Sequence, residues 1–513
     1  SAISSRPPTM EISITSFPFL LALLIFVLAL FRTVASKSRN PALNLPPGPP
    51  KLPLLGNIPQ LLGQSPHRSL RFLARKYGPL IHLRLGEIPT VVVSSPEVAA
   101  EVLRVQELRF ADRPGLAAAQ VFFYGCTDIV FSPFGDYWRK LRKISQTHLL
   151  SVKSVESFRS VREEEVAGFV GMISDAAEAR SSFNLSKHLY LLNYGITARV
   201  AFGGKKKDQE AFLSAVIESF RYMTGFNVVD MYPSLKFLGH ISGRKAKMNN
   251  LHRVLDGVLE NIVEEHKQKK TTRAGDGAGE DIVDVILRVR EEEGMEISDD
   301  NIKGVILDIF AAGSDTVSAA VEWAMSEIVK TPGVMRRAQE EVRRVFHGKG
   351  NVDDETRLCE LKYLKSVMKE TLRLHPPVPL ISRECRESCR IHGYDVPSKT
   401  MVLVNTWAIG RYPEQWVDAE RFQPERFLDN PVEYRGSNFE FIPFGAGRRI
   451  CPGVVFATAS MEVLLAQLLF HFNWELPEGM KAEELGMAEE FGLTLNRKED
   501  LNLIPLRHQF VEN

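Results

Sequence analysis

Phe444-Gly-Ala-Gly-Arg-Arg-Ile-Cys451-Pro-Gly453 is the stretch on which the reading of this chain turns. Two glycines ahead of the cysteine permit a tight turn that brings backbone N–H groups toward the sulfur. Pro452 suits the first turn of a helix, and the apolar run from Val454 to Phe470 is long enough to be that helix. A cysteine at a helix N-terminus sits among donors and in positive potential, which favours the thiolate, the form that ligates iron. For Cys451 alone, a buried cysteine in a glycine-rich turn would be the plainer reading. Phe444, Gly447, Arg449 and Gly453 at fixed offsets argue against it.

Three constellations lie N-terminal to this loop. Glu370-Thr-Leu-Arg373 sets a carboxylate and a guanidinium three apart on one helix face, which by itself is usually a solvated pair. Phe422-Gln-Pro-Glu-Arg426-Phe427 follows it downstream. Trp138-Arg-Lys-Leu-Arg142 places an indole N–H and a guanidinium four apart, two donors suited to one carboxylate. An amphipathic basic helix is the alternative there, because Arg139, Lys140 and Lys143 share the segment. A long apolar helix is expected over about residues 301–330, with Ala311-Ala312-Gly313-Ser314-Asp315-Thr316 near its middle. A glycine inside a helix costs about 1 kcal/mol, so Gly313 needs a packing or functional reason, and a local bulge or kink is expected.

Together these motifs resemble the cytochrome P-450 superfamily, whose cysteine loop reads Phe-x-x-Gly-x-Arg-x-Cys-x-Gly; every fixed position is matched. The resemblance runs to Phe491-Gly-Leu-Thr-Leu495 near the C-terminus. It implies a mainly α fold with small β-sheets, haem b as cofactor and Cys451 as the axial iron ligand. By the same likeness Phe444 covers the sulfur, while Trp138, Arg142, Arg383 and Arg449 meet the haem propionates. Glu370, Arg373 and Arg426 become a buried triad that holds the cysteine loop. Ala312 and Gly313 let the helix pass close to the macrocycle and leave room for dioxygen. Thr316 hydrogen-bonds the bound oxygen, and Asp315 connects it to solvent protons. Val317 departs from the last Thr or Ser of the family's helix pattern, which implies slightly altered proton delivery or substrate fit. Retaining both the acid and the threonine sets the chain apart from the superfamily's isomerase and dehydratase branches. The implied activity is a monooxygenase that inserts one atom of O2 into a hydrophobic small molecule.

The proline-rich hinge, Phe110-Ala-Asp-Arg-Pro114 and the cysteine loop resemble the plant A-type subgroup, and within it terpenoid hydroxylases of the premnaspirodiene oxygenase kind. A terpenoid of specialised metabolism is therefore the expected substrate. Oxidation of an alkaloid or phenolic, or a non-oxygenating haem-thiolate isomerase, is the alternative. By analogy the substrate meets Phe122, Phe123, Val378, Leu380 and Leu493, all apolar.

The rest of the chain bounds these expectations. Its 513 residues would suggest about three domains, which the motifs overrule, and a net charge of +1 gives no argument for nucleic acid. Five cysteines, sparse and odd in number, fit a reducing compartment. Cys385 and Cys389 lack a second Cys/His pair for zinc. Gly275-Asp-Gly-Ala-Gly279 follows no strand and is no dinucleotide fingerprint, so electrons must come from outside. The resemblance implies an NADPH–cytochrome reductase, with NADPH used indirectly, docking on the face of Arg139, Lys140 and Lys143. Residues 12–31 carry no charge and, as a helix, reach about 30 Å, the thickness of a bilayer core. Arg32, Lys37 and Arg39 follow them, which leaves the bulk in the cytosol; a cleaved signal peptide fits less well. The expected layout is an extension over 1–11, a transmembrane anchor over 12–31, a basic and proline-rich hinge over 32–57 and a catalytic domain over 58–513. The implied location is the endoplasmic reticulum membrane, spanned once.

Overall fold

Alternating and β-branched residues on either side of Gly86 form the first hairpin, β1 (Leu80–Leu85) and β2 (Ile88–Val93), paired antiparallel with Leu80 opposite Val93. Gly86 takes φ +62°, and a Cβ there would lie 2.6 Å from the Met231 carbonyl oxygen. The computed structural model describes residues 43–509 except 205–208, 236–242, 273–279, 293, 295, 348–351, 353–354 and 478, together with Leu21, Ile25 and Val27. The expected anchor over 12–31 otherwise lies outside the described residues. Two later strands complete the sheet: β3 (Leu380–Glu384) pairs antiparallel with β4 (Met401–Asn405), which pairs parallel with β2. The strand order is β1-β2-β4-β3, and every residue of the inner strand β4 is buried. Leu70 and Leu73 of α1 (Pro66–Tyr77) close one face of this sheet against Ile81, Leu83, Val92 and Leu403.

The proline segment behaves differently from the stiff spacer that its composition suggests. It lies along β1: the His82 N–H donates to the Pro47 carbonyl at 2.9 Å, and Asn57 Nδ2 donates to the carbonyls of Pro49 and Pro50. Prolines have no N–H to give but keep their carbonyls, so they serve as acceptors for neighbours. Gly48 and Gly56 are required here, since a Cβ would sit 2.1 and 2.0 Å from the carbonyl oxygens of His82 and Arg84.

Helices make up most of the remainder. α2 (Asp136–Ile144), α3 (Leu185–Phe202), α4 (Arg244–Thr272), α5 (Asp299–Lys330), α6 (Lys362–Leu374) and α7 (Val454–His471) surround the site. The central member is α5, begun by a capping box in which Ser298 Oγ accepts from the Asn301 N–H and Asn301 Oδ1 accepts from the Ser298 N–H. It packs on α3, α4, α6 and α7. By length and composition α5 and α7 could each cross a membrane, but both are mostly buried inside the domain. A helix apolar on all sides belongs in such a core.

α5 runs as one α-helix from Asp299 to Lys330, without the π-type turn that a bulge at Gly313 would introduce. Gly313 has another reason: a Cβ there would meet Thr197 Cγ2 of α3 at 2.9 Å. The contact between α3 and α5 is a polar seam, in which Thr197 Oγ1 bonds Ser314 Oγ, and Asn193 Nδ2 donates to Ser318 Oγ at 3.0 Å. Ser314 and Ser318 also donate to carbonyls four residues back in α5, so no hydroxyl in the seam lacks a partner.

Candidate active site

The cysteine turn is built as its glycines require. Gly445 and Gly447 take φ +77° and +69°, and a Cβ on Gly447 would lie 2.0 Å from the Leu103 carbonyl oxygen. The Cys451 N–H donates to the Phe444 carbonyl at 2.9 Å, and the Gly453 N–H donates to Cys451 Sγ at 3.3 Å. Burial nevertheless pushes the Cys451 thiol up, outweighing the Gly453 N–H and the charge of Arg142. The helix end alone therefore does not make the thiolate, contrary to the sequence expectation. A metal cation bound to the sulfur would. Phe444 is half-buried beside the turn and meets Tyr434 edge-on, ring centres 5.6 Å apart.

Four guanidiniums converge on the same region. Arg449 donates to the carbonyls of Ala111, Ile129 and Ser132, and it stacks over Trp138 at 4.1 Å. Arg113 donates to the carbonyls of Val130 and Ser382, and Arg383 to that of Ser382. The fourth, Arg142, leaves Nη2 buried with no partner among the described residues. Burial lowers all four: Arg113 to about 10, Arg449 to about 9, Arg383 well below its ordinary value, and Arg142 in the same direction. The like charges of Arg113 and Arg449 lower Arg383 further. Such a cluster, bonded to carbonyls and short of one partner, suits an anion. Trp138 differs from expectation: its indole N–H is committed to the Ile129 carbonyl at 3.0 Å. It orders the turn and carries Arg449 on its face.

Between Ile302 and Val329 only Ile309, Ala312, Gly313 and Thr316 of α5 are not fully buried. Their three- and four-residue spacing puts them on one helix face that is not fully packed over. Thr316 Oγ1 donates to the Ala312 carbonyl at 2.8 Å. Asp315 lies off this stripe and is buried, accepting hydrogen bonds from Tyr190 and Thr494. Burial pushes its carboxyl up. Asp315 thus contacts two hydroxyls, one of them on the partly exposed Tyr190.

The triad is fully formed. Glu370, wholly buried, accepts from Arg373 Nε at 2.6 Å and Nη2 at 2.8 Å, from Arg426 Nε at 3.0 Å and from the Gln423 N–H at 2.8 Å. Arg373 Nη1 continues to the carbonyls of Gly410 and Ala419. From there the pairs Trp416–Phe427, Phe427–Phe441, Tyr434–Phe441 and Tyr434–Phe444 run to the cysteine turn with ring centres 5.2–5.7 Å apart. The triad therefore reaches the sulfur through packed rings.

Of the expected substrate contacts, Val378, Leu380 and Leu493 are partly open. Phe122 and Phe123 are buried in the main core, beside Tyr222 and Phe131 respectively. Sequence reasoning missed Arg113, although it noted the segment that carries it, and missed Asp128, Asp308, Tyr190 and Thr494. An acid inside the apolar run Ile306-Leu-Asp308-Ile-Phe310 was a usable signal; Asp128 offered none.

An internal helix face beside a cysteine turn, ringed by buried arginines, defines a haem-thiolate protein. The profile of the family described as Cytochrome P450 matches residues 46–501. Cytochrome P450 71D10 of Glycine max is 49% identical over 497 residues, covering 96% of this chain and 97% of that protein. Tabersonine 16-hydroxylase 1 of Catharanthus roseus is 49% identical over 497 residues, with 95% and 97% covered. Desmethyl-deoxy-podophyllotoxin synthase of Sinopodophyllum hexandrum is 51% identical over 496 residues, with 96% and 97% covered. The chain belongs to the cytochrome P450 family and is a monooxygenase of the plant A type that uses haem b and takes electrons from NADPH through a reductase.

Proposed function

We propose that the chain hydroxylates, or otherwise oxidises with one atom of O2, an apolar plant metabolite of the terpenoid class. The observation that carries this reading is the α5 stripe, which bears no charged side chain, together with the apolar and partly open Val378, Leu380 and Leu493. Haem held by Cys451 supplies oxygen activation when bound. Arg142, Arg383 and Arg449 would hold its propionates, with Trp138 carrying Arg449 on its ring face and Phe444 beside the sulfur. Thr316 presents a hydroxyl on the open face, and Asp315 behind it accepts from Tyr190 and Thr494. Val378, Leu380 and Leu493 exclude water and place the substrate by shape. A second reading, an alkaloid or phenolic substrate, is favoured by relatives named for tabersonine hydroxylation, tabersonine epoxidation and podophyllotoxin synthesis.

The reductase is an NADPH–cytochrome reductase docking near Arg139, Lys140 and Lys143, on an endoplasmic reticulum membrane that residues 12–31 span once. A glycan on Asn184 would put the domain on the lumenal side and refute that orientation. In the fold Asn184 caps α3 and donates to Asp500. The full chain, reconstituted with reductase, should give a thiolate-type carbon monoxide difference spectrum that Cys451→Ala abolishes. It should then oxidise terpenoids in an NADPH-dependent screen run beside alkaloid and lignan panels. Product from the latter panels alone selects the second reading, and turnover without NADPH selects an isomerase.

A further inference from the structure

The loop from Thr127 to Ser132 has two faces. Its carbonyls point toward the cofactor residues: Ile129 accepts from Trp138 and Arg449, Val130 from Arg113, Ser132 from Arg449, and Thr127 from the Tyr137 hydroxyl. The N–H groups of Ile129, Val130 and Phe131 point into two buried carboxyls. Asp308 Oδ2 of α5 accepts from Ile129 at 2.7 Å and Val130 at 3.1 Å. Asp128 Oδ2 accepts from Val130 at 3.1 Å and Phe131 at 2.9 Å. The two carboxyls are in hydrogen-bond contact with each other. Asp128 Oδ1 is buried and receives neither N–H nor O–H from any other group among the described residues.

We propose that Asp128 and Asp308 share one proton and act together as positioning residues for the arginines that hold the haem carboxylates. Two carboxylates in contact in a dry interior cannot both stay ionised, and the Oδ2 atoms of both acids meet at the same Val130 N–H, so one proton is held between them. The pair then carries one negative charge. That charge balances Arg113, which lies in the field of both acids, and leaves Arg142, Arg383 and Arg449 for the cofactor. The other titratable groups facing the pair are the Cys126 thiol, the Tyr137 hydroxyl of α2 and the Arg449 guanidinium. Burial favours the protonated acid, raising Asp128 to about 6 and Asp308 well above the carboxylate range. In this arrangement α5 carries the oxygen-side stripe on one face and fixes the propionate arginines from another.

The test uses the full-length, haem-loaded chain and the variants Asp308→Asn, Asp128→Asn and Asp308→Ala. Infrared spectra in water and heavy water report a protonated carboxyl through its deuterium-sensitive C=O stretch. Subtracting each variant from wild type isolates this pair from other buried acids such as Glu322 and Glu462. Both Asn variants are expected to lose one such band of equal intensity, since each removes the shared proton. Asp308→Asn keeps an oxygen for the Ile129 and Val130 N–H groups and should retain haem like wild type. Asp308→Ala leaves the Ile129 N–H unpaired and Val130 with Asp128 alone, and should lose haem to a scavenger about tenfold faster, the weight of roughly one buried hydrogen bond. A band that survives in either Asn variant overturns the shared proton. Wild-type haem loss in Asp308→Ala overturns the positioning role. Should that variant fail to fold, Asp128→Ala, which leaves the Phe131 N–H without its acceptor, takes its place, and wild-type haem loss there overturns the role.

Discussion

Removing the carboxylate of Glu370 tests whether the triad supports the cysteine turn or merely accompanies it. Glu370 is wholly buried and receives four donors, three of them from Arg373 and Arg426. Glu370→Ala would strand the Arg373 guanidinium, which is also wholly buried, and leave Arg426 half-satisfied. Deleting one partner of a buried ion pair costs about 3–5 kcal/mol. Native stabilities are about 5–15 kcal/mol, so this is a large fraction of the total. The loss should spread along the rings from Trp416 to Phe444 and reach the sulfur. The variant should therefore accumulate as apoprotein, with little thiolate-type carbon monoxide spectrum and a lowered denaturant midpoint. Glu370→Gln, which keeps an oxygen but no charge, should fall between. Full haem loading together with a wild-type midpoint in Glu370→Ala would refute the reasoning.

Gly447→Ala must push the Leu103 carbonyl aside from 2.0 Å and hold an L-residue at φ +69°, so the thiolate spectrum should be lost; retention of that spectrum at wild-type yield counts against the turn as described. Thr316→Ala should keep the spectrum but consume NADPH without matching product and release peroxide, and unchanged coupling would remove Thr316 from proton delivery. Burial holds the Glu322 carboxyl up to about 7, against the ordinary 4.5, with Ser186, Arg497, Asp500 and Asp315 around it. The folded chain thus keeps a proton that the unfolded chain releases from pH 4.5 upward. That contribution to stability is complete below 4.5 and gone above about 7. Glu322→Gln should flatten the slope of unfolding free energy between those limits, as measured by denaturant titration.

Local patterns were legible where local physics decides them. The turn before Cys451, helix α7, the strands around Gly86 and the length of α5 follow from glycine placement and hydrophobic period, and each stands where the sequence put it. What stayed hidden needs a partner far along the chain. The Gly313 contact belongs to Thr197, the Asp308 acceptors serve a loop 179 residues earlier, and the proline carbonyls find donors only because β1 lies beside them. No periodicity names those neighbours. The substrate face suffered for the same reason: an apolar residue fits core and pocket equally, and Phe122 and Phe123 proved to be core.

The reach of Arg449 also dictates an order of assembly. Its guanidinium closes on carbonyls 338, 320 and 317 positions earlier, in a region the ribosome finishes long before the cysteine turn exists. Until that arginine arrives, the Ala111 and Ser132 carbonyls lack its guanidinium, and porphyrin has no complete cradle to enter. Cofactor capture is therefore a late event, after nearly the whole chain has been made, and the nascent protein must be shielded from aggregation through most of its synthesis.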